Sequence, residues 1–153
     1  MKIKPLFGFI IVLALAIAPF PVQRGDASNS IGWLSYDAAK KKNESEAQKY
    51  FIFFSSQNCG YCRLLETKTF SNPDVSAYIN ENYIPVRVDV DKQRELAVRY
   101  RIQGVPDLRF LSKDGAVIGR WIGFTEPEHL LKLLKYIGTD SYLTMSFNDF
   151  NKK

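Results

Sequence analysis

Apolar and polar positions along the chain change period several times, and each change marks a segment. Residues 6–18 form an apolar run behind Lys2 and Lys4 and ahead of Pro19 and Pro21. That order of charge, apolar core and breaker is the pattern of an export signal, and the run is shorter than the ~20 residues a spanning helix needs. Cleavage after Ala18 or Ala27 is expected, followed by a link rich in Gly, Ser, Asp and Asn to about residue 32. Ordered structure is expected to begin near Trp33.

Ser35 suits the N-cap of a surface helix over residues 36–49, a charged stretch free of Gly and Pro. The run YFIFFS, residues 50–55, lacks alternation and predicts a strand buried on both faces of a parallel sheet. A helix is expected from Cys59 to about Thr69. Asn72 and Pro73 open another, with Val75, Tyr78 and Ile79 on its buried stripe.

The pattern then predicts a strand over 83–90, a short helix over 94–100, a turn at QGVP, and a strand over 107–111. A hairpin signal at KDG leads to a strand over 116–123. Thr125 and Glu128 read as a capping box for a last helix, in which Leu130, Leu133, Leu134 and Ile137 share one stripe and Gly138 ends it. Together these elements predict an α/β domain over 33–138, with a central mixed β-sheet flanked by helices on both faces, and a C-terminal tail over 139–153.

Removal of 27 of the 153 residues leaves 126, enough for one core. Lys2, Lys4, Arg24 and Asp26 leave with them, so the formal charge falls from +5 to +3. The remaining bases are dispersed among acids, which excludes a nucleic-acid footprint. Cys59 and Cys62 are the only cysteines, whereas small exported proteins that rely on disulfides for stability carry several spaced pairs.

CxxC spacing at the start of a helix sets the two sulfurs one turn apart, within bonding reach. The free backbone donors and dipole of the helix favour a thiolate at Cys59, which then attacks substrate disulfides, while Cys62 resolves the mixed disulfide. A plain structural disulfide is the alternative, but closing so short a loop removes little chain entropy. No metal or other cofactor is expected. Structural zinc needs four ligands, and His129, the one histidine, reads as a surface or helix-end residue. A two-thiolate Cu(I) carrier remains an open alternative.

Glu66 follows Cys62 by four residues and shares its helix face with Leu65 and Thr69. Two readings stand: a half-buried acid that exchanges a proton with Cys62, or a solvated acid paired with Arg63. In QGVPD, Pro106 lies between turn and strand and is able to hold a cis bond, exposing the backbone of Val105 for a peptide to join as an added strand. Gly60 and Tyr61, between the cysteines, complete the candidate substrate contacts.

These parts in this order (YFIFFS, CGYC, GVP before a strand, and GF before an amphipathic helix) resemble the thioredoxin superfamily. The stretch CRLLETKTFSNPDVSAYI is similar to the one after the active site in the C-terminal domain of DsbD. The tail YLTMSFNDF is similar to that of SoxW-type thioredoxins. The resemblance implies a thioredoxin fold and an exported, periplasmic, monomeric thiol-disulfide oxidoreductase. It further implies a disulfide-containing protein as substrate and a membrane thiol donor similar to DsbD. Cys59 is then the nucleophile, Cys62 the resolving thiol, and Pro106 the cis-proline facing them. An oxidase or isomerase is the nearest competing activity.

Three positions depart from the family pattern. Asn58 replaces Trp before the first cysteine, Asp107 replaces Thr or Ala after Pro106, and Phe53 occupies the position of the buried Asp. Loss of that Asp favours Glu66 as proton acceptor. A carboxylate of Asp107 within a few ångströms of Cys59 would raise the thiol pKa and make the protein more reducing.

Overall fold

The computed structural model describes residues 30–152. The expected export signal and both cleavage sites lie outside those residues. Four strands form one sheet in the order β2-β1-β3-β4. β1 (Lys49–Ser55) runs parallel to β2 (Tyr83–Asp89) and antiparallel to β3 (Asp107–Leu111), which pairs antiparallel with β4 (Val117–Ile122). The mixed sheet expected from the sequence is therefore present.

β1 is central, so both of its faces are covered, and Phe51, Ile52, Phe53 and Phe54 are fully buried. This explains its unbroken apolar run. On one face Phe51, Phe53, Leu108 and Phe110 pack with α2 (Gly60–Leu64), α3 (Pro73–Asn82) and α5 (Pro127–Gly138). On the other, Ile52 and Phe54 pack with Ala39 of α1 (Tyr36–Glu46) and with Leu96 of α4 (Arg94–Arg99). Leu34 extends the sheet by one parallel bridge to Val86.

Local chemistry sets the helix ends. The Ser35 hydroxyl caps α1 by accepting from the Ala38 N–H, and Asn72 Oδ1 accepts from Asp74 and Val75 at the start of α3. α1 stops three residues earlier than expected, because Ala47 turns left-handed (φ 50°) and the chain enters β1 at Lys49. The expected capping box on α5 does not form. Pro127 occupies the first helical turn behind Glu126, which makes no side-chain cap, and the Thr125 carbonyl instead accepts from Thr69 Oγ1 at 2.6 Å.

Gly138 closes α5 where a Cβ would lie 2.8 Å from Tyr78 Oη of α3, so a larger residue there would require the Tyr78 ring to shift. The segment after it packs back on the domain through a 3-10 turn (Ser141–Leu143) and α6 (Phe147–Phe150). Tyr136 Oη donates to the Met145 carbonyl at 2.7 Å, and the rings of Phe147 (edge-to-face) and Phe150 (tilted) lie 5.3 and 5.4 Å from the Tyr136 ring.

Candidate active site

β1 delivers the chain to the end of the sheet, a turn at Gln57 and Asn58 reverses it, and α2 begins at Gly60. Cys59 is the N-cap residue, with extended backbone, and its sulfur accepts from the Cys62 N–H at 3.0 Å. The two cysteines form a disulfide with an S–S distance of 2.02 Å. Cys59 is 9% exposed and Cys62 2%, so the first cysteine is the less buried of the two.

Gly60 and Tyr61 are exposed beside the disulfide, Tyr61 by 64%. Val105 is half-buried and packs on the cluster that holds both cysteines. The Val105–Pro106 peptide bond is cis, Pro106 is buried, and its carbonyl accepts from the Gly123 N–H at 2.9 Å. The predicted site residues on 59–62 and 105–106 thus lie at the same end of the sheet, where Phe54 at the end of β1 pairs with Asp107 at the start of β3.

α2 continues into a π-helical turn, Leu65–Thr69, closed by the Phe70 N–H to the Leu65 carbonyl at 2.8 Å. Cys62, Leu65 and Thr69 keep to the buried stripe, while the Glu66 side chain remains 32% exposed at its edge. Its partner is Arg87 of β2, not Arg63, which donates to the Gln57 carbonyl at 3.1 Å. The guanidinium of Arg87 also lies 5.7 Å from the centroid of the Phe53 ring. The family's buried-acid position is therefore filled by a ring, with an ion pair beyond it. Arg87 carried no sequence signal, because pairing across 21 residues depends on β2 lying next to β1.

Asp107 does not act as the sequence suggested. Strand alternation sends Leu108 to the cysteine face and Asp107 to the opposite face, across from Phe54. There its carboxylate, fully buried, accepts from Arg109 Nε at 2.7 Å and from Arg120 Nη2 at 2.6 Å. A lone acid repelling the Cys59 thiolate is thus replaced by an acid held between two guanidinium groups on the far side of the sheet. The D-x-R spacing on β3 was a readable sign of one partner; Arg120 required the β3–β4 register.

His129 stands in the first turn of α5, the helix-end position expected, but it is half-buried rather than on the open surface. Its ring packs between Trp121 of β4 at 4.5 Å and Phe147 of α6 at 5.4 Å, so it belongs to the seam that holds the tail rather than to the surface.

The comparisons agree with this geometry. A family model described as a thioredoxin-like domain matches residues 36–138, two thirds of the chain. The chain belongs to the thioredoxin-like family. A thioredoxin from Thermus thermophilus is similar in structure, with a TM-score of 0.65 and 32% identity, covering 71% of this chain and 87% of that one. A putative disulphide-isomerase from Bacteroides thetaiotaomicron aligns with a TM-score of 0.62 and 28% identity, over 73% and 95% of the two chains. An uncharacterized protein of Archaeoglobus fulgidus is 33% identical over 92 residues, 60% of this chain and 71% of that protein. This thioredoxin-like chain is thus an oxidoreductase with a disulfide-capable pair at Cys59 and Cys62.

Near the site, Tyr100 ends α4, and its phenol is pushed up from the ordinary range, first by burial and then by its 2.9 Å hydrogen bond with the Tyr36 hydroxyl. It is a neutral group at working pH.

Proposed function

We propose that this thioredoxin-like chain is an exported, monomeric, periplasmic enzyme that reduces disulfides of protein substrates and is recharged by a membrane thiol donor. One observation carries the catalytic part: Cys59, the less buried of the two cysteines, sits at a helix N-terminus, and its sulfur accepts from the Cys62 N–H. The same N–H stabilises a thiolate in the dithiol state. Export is supported by the signal pattern of the first 27 residues, and the donor by the resemblance to DsbD.

In the cycle, the Cys59 thiolate attacks one substrate sulfur, forming a mixed disulfide and releasing the other substrate sulfur as a thiol. Cys62 then attacks Cys59 through its thiolate, releasing the second substrate thiol. Two electrons pass from the dithiol to the substrate, and the two protein protons end on the substrate sulfurs. Val105 offers a backbone edge for the substrate peptide, flanked by Gly60 and Tyr61, and Pro106 closes the docking loop.

Equilibration with glutathione buffers tests the direction. A potential near that of thioredoxin, about −270 mV, supports reduction, and one near −120 mV supports the oxidising or isomerising alternative favoured by the isomerase-named relative. Loss of insulin reduction together with tight Cu(I) binding would sink the oxidoreductase reading.

Glu66 is assigned the proton exchange with Cys62, with Arg87 holding its carboxylate in place. Glu66→Gln is expected to change the pH–rate profile of reduction while costing no more than about 1 kcal/mol of stability, because the pair is part-exposed. An unchanged profile removes Glu66 from the chemistry.

A further inference from the structure

The loop over residues 101–106, which carries Val105 and Pro106, begins after Tyr100 and ends at Asp107. Both ends are held by one side chain. Arg109 Nη2 donates to the Tyr100 carbonyl at 3.0 Å, and Arg109 Nε donates to Asp107 Oδ1 at 2.7 Å. Its side chain is only 9% exposed, so these bonds are shielded from competing water.

Arg109 is held in turn by Asp107, whose carboxylate also binds Arg120. Arg109 and Arg120 are direct cross-strand partners, a like-charge pairing that is unfavourable by itself. Asp107 Oδ2 accepts from Arg120 Nε at 3.0 Å and from Arg120 Nη2 at 2.6 Å, while Oδ1 remains with Arg109. One carboxylate therefore fixes both guanidinium groups, and the one on β3 spans the base of the loop. On the far side, the Gly123 N–H holds the Pro106 carbonyl.

We infer that Arg109, locked by Asp107, is a positioning residue that closes the base of the 101–106 loop and so sets the backbone of Val105 for docking an extended peptide disulfide. The inference rests on the proposed reaction. Neither Arg109 nor Asp107 touches the cysteine cluster, since both lie on the opposite face of the sheet. Their effect is confined to substrates that use the loop. A small disulfide needs only the sulfur of Cys59, whereas a peptide needs the loop in register with it.

The test compares insulin with hydroxyethyl disulfide as substrates, with dithiothreitol recycling the enzyme. Arg109→Lys keeps a charge for Asp107 but cannot span to Tyr100 with a planar fork. It is expected to raise KM for insulin roughly tenfold at near-constant kcat, because one shielded hydrogen bond to the loop is lost. The rate with hydroxyethyl disulfide is expected to stay within about twofold, and amide hydrogen exchange in 101–105 to quicken. Arg109→Gln leaves a neutral Asp107–Arg120 pair and is read in the same way if the lysine variant does not fold. Arg120→Gln is the control: it lowers Tm and leaves the KM for insulin unchanged.

An unchanged KM for insulin in a folded Arg109 variant overturns the inference, as does equal slowing of both substrates. A wild-type protein that reduces neither substrate overturns the proposed function instead, so the two failures are distinguishable.

Discussion

Cys59→Ser is expected to reduce insulin disulfide turnover to the uncatalysed level, whereas Cys62→Ser completes the first exchange and stops as a mixed disulfide with its substrate. The asymmetry follows from position. Cys59 is the less buried cysteine, and its sulfur accepts from the Cys62 N–H at the helix N-terminus, while Cys62 is 2% exposed and bonded to Cys59. The loss is chemical rather than structural. The disulfide spans a sequence separation of 3, and the chain entropy of so short a ring is worth at most about 2 kcal/mol. Steady-state insulin reduction, with non-reducing electrophoresis to detect the trapped complex, checks both halves. Turnover by Cys59→Ser, or a complex trapped on Cys62 instead, would reverse the assignment.

Asp107→Asn is expected to cost about 3 kcal/mol of stability. The substitution preserves shape but leaves Arg109 and Arg120 opposed across the β3–β4 ladder with no carboxylate between them. Arg109, 9% exposed, cannot reach water without opening the sheet; Arg120, 34% exposed, turns outward more readily. That difference keeps the expected cost near the lower end for a broken buried pair. Denaturant unfolding of the oxidised protein measures it. A loss under about 1 kcal/mol would mean that both guanidinium groups find solvent, and the cluster would then be no anchor for the loop.

The two predictions use different parts of the chain, and those parts were unequally legible. CGYC at a strand-to-helix junction announced its chemistry locally, because CxxC spacing and helix geometry bring the sulfurs together without help from distant residues. The same locality made Ser35, Asn72 and the apolar run of β1 readable. Asp107 shows the opposite case. Its position beside Pro106 suggested influence on Cys59, yet the two-residue period of β3 turned it to the other face, where its partners come from β3 and β4. For Glu66 only the Arg63 pairing is overturned, since the π-helical turn and the neighbouring β2 present Arg87 instead.

Sequence by itself determined the element order through α5, the buried central strand and the CxxC pair, because each rests on periodicity or spacing within one segment. Tertiary structure decided what surrounds the pair: the Glu66–Arg87 pair, the Asp107 cluster under the docking loop, and His129 in the seam of the tail. Each of these contacts joins residues from different elements, and only strand register and helix packing bring such residues within reach of one another.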